Sequence, residues 1–232
     1  MKTRGLYLLF ALVAFGSFVA AVLPETPPPG DKESVLIQAM MRTLQRFHYE
    51  PMDIDDDFSG RAYDYYLNDL DGARLFFTQE DIAKFAPAKY QIDDQVNNGT
   101  YAFFDQVQEV WIDRLDVTET YFQEALAKPF DLNKGKEIIL RDEDSEWAKN
   151  DKELKKYWHD YIKRDVLNQI VNRLKDQEQD KEITKKLSAE EIEVEVRKKT
   201  LERYEKWYGR MRKAKLSIRR SQYLNALTAQ FD

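Results

Sequence analysis

From residue 32 onward the apolar residues recur at three- and four-residue intervals, and each run stops at a proline, a glycine turn or a polar cluster. In "DKESVLIQAMMRTLQRFHY", Leu36, Met40, Leu44 and Phe47 share one helical face, leaving Lys32, Arg42 and Arg46 to water. Pro51 ends that helix, and Asp53 with Asp55 to Asp57 opens the next, where negative charge suits exposed amides. Phe58, Ala62, Tyr65, Tyr66 and Leu70 form its expected buried stripe, closed by a turn at Asp71-Gly72. Thr78 with Asp81 reads as a capping box for a short helix that Pro87 interrupts. "NNGT", ending at Thr100, is the following turn.

Phe104, Val107, Trp111, Leu115, Phe122 and Leu126 predict one helix from Tyr101 to Ala127, about 40 Å long at 1.5 Å per residue. The period then breaks, and Phe130 with Ile138 to Leu140 predicts an extended crossing near 130–142, with a short strand pair as one form of it. Asn150 with Glu153 caps a helix carrying Leu154, Trp158, Tyr161, Ile162, Val166, Ile170 and Leu174 inward. Its stripe is lost in "KDQEQDKEITKK". Ser188 with Glu191 caps the next, bearing Ile192, Val196, Tyr204, Trp207, Tyr208 and Met211, and a last helix begins near Ser217. The fold class is therefore mainly α, several amphipathic helices with one short extended crossing.

Composition agrees with that reading. The 232 residues are 43% hydrophobic and 34% charged with only 8 Gly and 7 Pro, which favours long solvent-facing helices over turn-rich sheets. The chain has no cysteine, so disulfides, thiolate metal sites and a Cys nucleophile are excluded. Lys2 and Arg4 precede "LYLLFALVAFGSFVAAVL", the layout of a secretory signal over residues 1–23. A cut after Ala21 is the expected processing; the apolar run, about 18 residues, also reaches the lower limit for an uncleaved membrane anchor. Residues 24–30 are a stiff Pro-rich spacer, and 31–232 form the helical domain.

Candidate chemistry is sparse. His48 and His159 are far apart in sequence and lack neighbours at metal-ligand or nucleophile spacing, so both read as structural or surface residues. Asp53, Asp55 and Asp57 match three positions of a calcium loop, but Phe58 occupies its glycine position and Asp64 its bidentate glutamate position. The stretch Arg197 to Arg220 interleaves cations with Tyr204, Trp207 and Tyr208. In a chain of net charge -6, with those aromatics on the helix's own stripe, this reads first as an ordinary helix face, and beyond that suits an acidic protein surface better than nucleic acid. "NGT" at Asn98 to Thr100 is a glycosylation sequon that reads equally as a turn. No catalytic, cofactor-binding or metal residue is assigned.

The stretch "HYEPMDIDDDFSGRAYDYYLNDLDGARLFFTQEDIAKF" resembles the N-terminal domain of tail-specific proteases, the C-terminal processing peptidases of bacteria. Tyr66, Leu67, Leu70, Asp71, Phe76, Phe77, Asp81, Ile82 and Phe85 carry the resemblance, and "EWAKNDKELKKYWHDYIKRDVL" and the terminal "YLNALTAQFD" agree with it. The resemblance implies an exported, periplasmic serine endopeptidase in which a PDZ domain captures a substrate's C-terminal tail and a Ser-Lys dyad cuts it. It places both outside this chain, which on that reading is catalytically silent and scaffolds, admits substrate or docks. The implied partners are those PDZ and protease domains, unfolded proteins and an adaptor, with the segment around Tyr204, Trp207, Met211 and Leu216 as the docking surface. A free-standing helical adaptor without protease activity is the alternative.

Overall fold

The computed structural model describes residues 32–50, 52–132, 137–180 and 186–231. The expected N-terminal signal and spacer and part of the expected crossing lie outside them. Eight α-helices follow in order among the described residues: α1 (Lys32–Phe47), α2 (Asp56–Asp71), α3 (Gln79–Phe85), α4 (Ile92–Asn98), α5 (Ala102–Leu126), α6 (Asp151–Gln179), α7 (Ala189–Lys213) and α8 (Leu216–Thr228). Single 3-10 turns extend α3 at Ala86–Ala88, where Pro87 sits, and α8 at Ala229–Phe231.

The helix starts follow the caps in the sequence. Asp55 Oδ1 accepts from the Phe58 amide at 3.0 Å, and Thr78/Asp81 and Ser188/Glu191 both close complete capping boxes. Asn150 caps α6 through the Glu153 amide at 3.1 Å. Gly99 ends α4 at φ 68, and a side chain there would drive its Cβ to 2.9 Å from Ser34.

Two packing groups result. The long helices α5, α6 and α7 pack on one another, while α2 packs on α4 and α8, and α1 on α4 and α8. Tyr66, Phe103, Phe104 and Tyr223 fill the second group with rings 5.0 to 6.5 Å apart. Phe122, Trp158, Tyr204 and Tyr208 fill the first. Phe76 and Phe77 meet Trp111 of α5 from the loop after α2, so one aromatic network joins the groups. The expected stripes of α5 and α6 are inward throughout, with Tyr161 and Leu174 half-buried at the margin.

Four expectations change. On α1 the buried residues are Ile37 and Met41, whereas Leu36 is 52% and Phe47 74% exposed. The run offers two overlapping apolar rows, and contact with α4 and α8 selects the row through residue 37. On α2, Tyr65 is 48% exposed and Tyr63 and Leu67 are buried in its place. Gly72 is right-handed at φ -60; the left-handed residue is Arg74, φ 55. The candidate strand pair does not form among the described residues, where Thr78 and Ala148 make one isolated parallel bridge, with the Gln79 amide donating to the Ala148 carbonyl at 2.8 Å. Just beyond the crossing, the carbonyls of residues 143 and 145 are instead taken by a side chain.

That side chain is Arg74. Its Nε donates to the Ser145 carbonyl at 2.9 Å, Nη1 to the Asp71 carbonyl at 3.0 Å and Nη2 to the Glu143 carbonyl, while its guanidinium lies 3.8 Å from the Trp147 ring centroid. Asp71 completes the knot. Its carboxylate accepts from the amides of Leu75 (2.6 Å), Phe76 (3.1 Å) and Phe77 (2.9 Å) and from Trp147 Nε1 (3.2 Å). Burial pushes this acid up to about 6, and the three backbone donors pull the other way. Four N–H donors on its oxygens suit the carboxylate form.

Arg74→Lys should cost about 2 kcal/mol, because an ammonium on a flexible stem cannot reproduce the three directed bonds of a planar guanidinium. Urea melts measure the loss, and hydrogen exchange should quicken at residues 143–148. Asp71→Asn should cost about 2 to 3 kcal/mol at pH 7, since an amide NH2 would face buried N–H donors. An unchanged urea midpoint for either variant would remove the knot from the account of stability.

Candidate functional site

The C-terminal half of α7 and the start of α8 carry eight Lys or Arg between Arg203 and Arg220 against one acid, Glu205. Helical spacing sorts this stretch into two adjacent rows. Tyr204, Trp207 and Met211 form one, and Arg203, Lys206, Arg210 and Lys213 form the other. Tyr208, one residue past Trp207, anchors the helix from beneath: it is fully buried and donates its hydroxyl to Thr118 Oγ1 of α5 at 2.8 Å. Burial raises that phenol well above its usual range.

Trp207 stands half-buried between two clefts. On one side, Leu70, Phe76, Trp111, Met211 and Gln222 line a cleft of about 280 Å³. On the other, Tyr161, Arg203, Tyr204 and Arg210 line one of about 290 Å³. The indole is held by rings on three sides, with Phe76 and Tyr204 both at 5.8 Å and Tyr208 at 5.5 Å. It cannot turn freely in that setting.

The polar margin of the first cleft is equally constrained. Arg219 donates to the Ala214 carbonyl from Nε (3.2 Å) and Nη2 (2.9 Å) and to Gln108 Oε1 from Nη1 (3.3 Å), and Gln108 Nε2 donates to the Tyr66 hydroxyl at 3.0 Å. These bonds close the α7–α8 corner onto α5 and α2. Several cations are neutralised locally. Arg203 pairs with Asp165, and Arg212 bridges Asp116 (2.7 Å) and Glu119 (2.6 Å), whose hydrogen bonds raise its guanidinium pKa further. Arg220 pairs with Glu33 of α1 at 2.5 Å.

Of the four residues expected on this surface, Trp207 and Met211 line a cleft, Leu216 is 48% exposed and Tyr204 is largely buried at one cleft's edge. Tyr161, Arg203 and Arg210 were not singled out from the sequence as part of a site. Arg210, three residues beyond Trp207, was readable from helical spacing; Tyr161 comes from another helix and was not. The histidines stay apart in role: His48 packs edge-on to Phe231 at 5.8 Å, and His159, exposed, lies 5.6 Å from Phe130. Of the aspartates of the rejected calcium loop, Asp55 caps α2 and Asp57 lies in its first turn. Serine hydroxyls are bound up in local structure: Ser59 with Asp93, Ser145 with Asp142, Ser188 in its capping box and Ser221 with the Ser217 carbonyl.

Residues 40–232 match the family model described as the tail specific protease N-terminal domain. The chain belongs to that family. A tail-specific protease of Haemophilus influenzae is similar to it, at 29% identity over 208 residues covering 88% of this chain. The same match covers 27% of the relative, so the chain spans about a quarter of that protein's length. Within this tail-specific protease domain, the motif that carried the resemblance proves to be structural: Asp71 and Phe76-Phe77 build the knot and the aromatic bridge, and Asp81 the α3 cap. Asp81 also receives Arg114 Nε at 2.6 Å, and the same guanidinium pairs with Asp151 at the start of α6.

Gly209 lies inside α7 in this region, and a Cβ built on it meets nothing within 4 Å. Gly209→Ala should therefore raise stability by about 0.5 to 1 kcal/mol through the lower entropy of the unfolded chain. A shift of the urea midpoint upward with unchanged slope is the expected result.

Proposed function

We propose that this chain is the noncatalytic helical part of an exported serine-type endopeptidase that degrades proteins from their C-terminal tails. The observation that carries the reading is the family match over residues 40–232. The Haemophilus tail-specific protease supports it, because the aligned region takes up 27% of that enzyme and leaves ample length for catalytic domains. Within this chain the described serines named above serve caps, turns and local hydrogen bonds, Ser59 among them buried against Asp93, and none of them is paired with a lysine.

On this reading the domain scaffolds the enzyme, helps admit an unfolded substrate, or docks other domains or an adaptor through the face around Trp207. The PDZ and protease domains of the parent enzyme are its partners, and a Ser-Lys dyad on those domains does the cutting. Export to the periplasm through residues 1–23, with the segment either cleaved or kept as an inner-membrane anchor, completes the proposal. Among the described residues no helix is long and apolar enough to cross a membrane.

The purified chain, incubated with an unstructured protein ending in apolar residues, should leave that substrate intact on gels over hours. Robust turnover that survives repurification would overturn the noncatalytic assignment. For localisation, residues 1–30 fused to a reporter enzyme active only after export should give activity outside the cytoplasm; a silent but stable fusion would overturn export.

A further inference from the structure

We propose that the paired clefts around Trp207 bind an acidic, amphipathic peptide segment of a partner protein. Its apolar side chains enter the clefts, and its carboxylates meet the cation row beside them. This rests on the docking reading above and adds the chemistry of the docked element.

Three observations lead there. The clefts have about 280 and 290 Å³ each, room for a Leu- or Phe-sized side chain, and they share the held indole of Trp207 as their dividing wall. Beside them runs a cation row in which Lys206, Arg210 and Lys213 are exposed and make no ion pair among the described residues. Every other Arg from residue 203 to 220 has an acidic, amide or carbonyl partner within this domain, and Lys215, exposed and likewise without an ion pair among the described residues, sits at the α7–α8 corner, so the unpaired positive charge of the C-terminal half of α7 falls on one side of that helix. The chain as a whole is acidic, at -6, which makes this patch a local reversal of sign that favours an acidic segment.

The spacing selects the shape of the ligand. Trp207 and Met211 are four residues apart, as are Lys206 and Arg210, and the rows run parallel along α7. A helix presenting apolar residues at three- and four-residue intervals, with Asp or Glu on the neighbouring face, satisfies both rows together. A lipid surface fits less well: the apolar groups here line recesses, whereas membrane-binding side chains must project.

The test uses the purified chain and a capped, fluorescently labelled peptide, EELLEELLEELLEE, with two controls: Lys in place of every Glu, and Ser in place of every Leu. Anisotropy should show saturable binding of the first peptide alone, weakened by about tenfold when salt is raised from roughly 0.05 to 0.5 M. The double variant Arg210→Glu with Lys213→Glu, both exposed and therefore expected to melt like the native chain, should lose at least about tenfold in affinity. Met211→Ala should weaken binding without altering the salt dependence. No binding of the acidic peptide, equal binding of the Lys peptide, or an affinity unmoved in the folded double variant would overturn the inference. Binding of anionic phospholipid vesicles in place of the peptide would overturn it as well. If the chain still associates with the separately purified remainder of its parent protease while the acidic peptide does not bind, this inference fails and the docking reading stands.

Discussion

One buried carboxylate organises this molecule. Asp71 collects three consecutive backbone amides and an indole N–H, and it does so at the point where the chain leaves α2 and crosses to the other helical group. As a carboxylate nearly sealed from water, it would be costly without those donors; with them, it forces residues 75–77 into a tight arc that aims Phe76 and Phe77 at Trp111. Arg74, left-handed at φ 55, uses the same arc to seize two carbonyls of a distant acidic loop. Backbone strain at one residue is offset by the three directed hydrogen bonds it makes available.

The consequences reach the face proposed for docking. Because Phe76 is fixed by the knot, it can form a wall of the cleft beside Trp207 and hold that indole edge-on at 5.8 Å. Arg114 extends the same logic, tying α5 to the α3 cap and to the start of α6, so that those two long helices meet in register. The clefts are thus the product of constraints set some distance away in sequence. A surface so braced can bind without first paying to order itself.

Membership in the tail-specific protease N-terminal domain family gives this architecture a context and also explains what the recognisable motif was reporting. The residues that resemble the family are those of the knot, the bridge and the α3 cap, and so they report the fold. The chemistry proposed for docking lies in α7, where the rows are read from charge and helical spacing and not from that motif.

Helix positions were legible because they depend on local rules. The caps at Asp55, Thr78, Asn150 and Ser188 and the turn at Gly99 are short-range geometry, and the stripes of α5 and α6 are regular enough to have one solution. Where a run carries two overlapping apolar rows, as in α1, or a surplus aromatic, as at Tyr65, only the neighbouring helices decide which side is buried. The crossing after α5 shows the same limit: its apolar residues suggested pairing, but what is fixed is the loop just beyond it, where Arg74 from about 70 positions upstream takes two carbonyls. The sequence by itself determined the class, most of the capped helix starts and the basic aromatic half of α7. Tertiary structure alone decided that Tyr161, Phe76 and Trp111 would wall clefts against Trp207, because those contacts join helices that no local pattern can bring together.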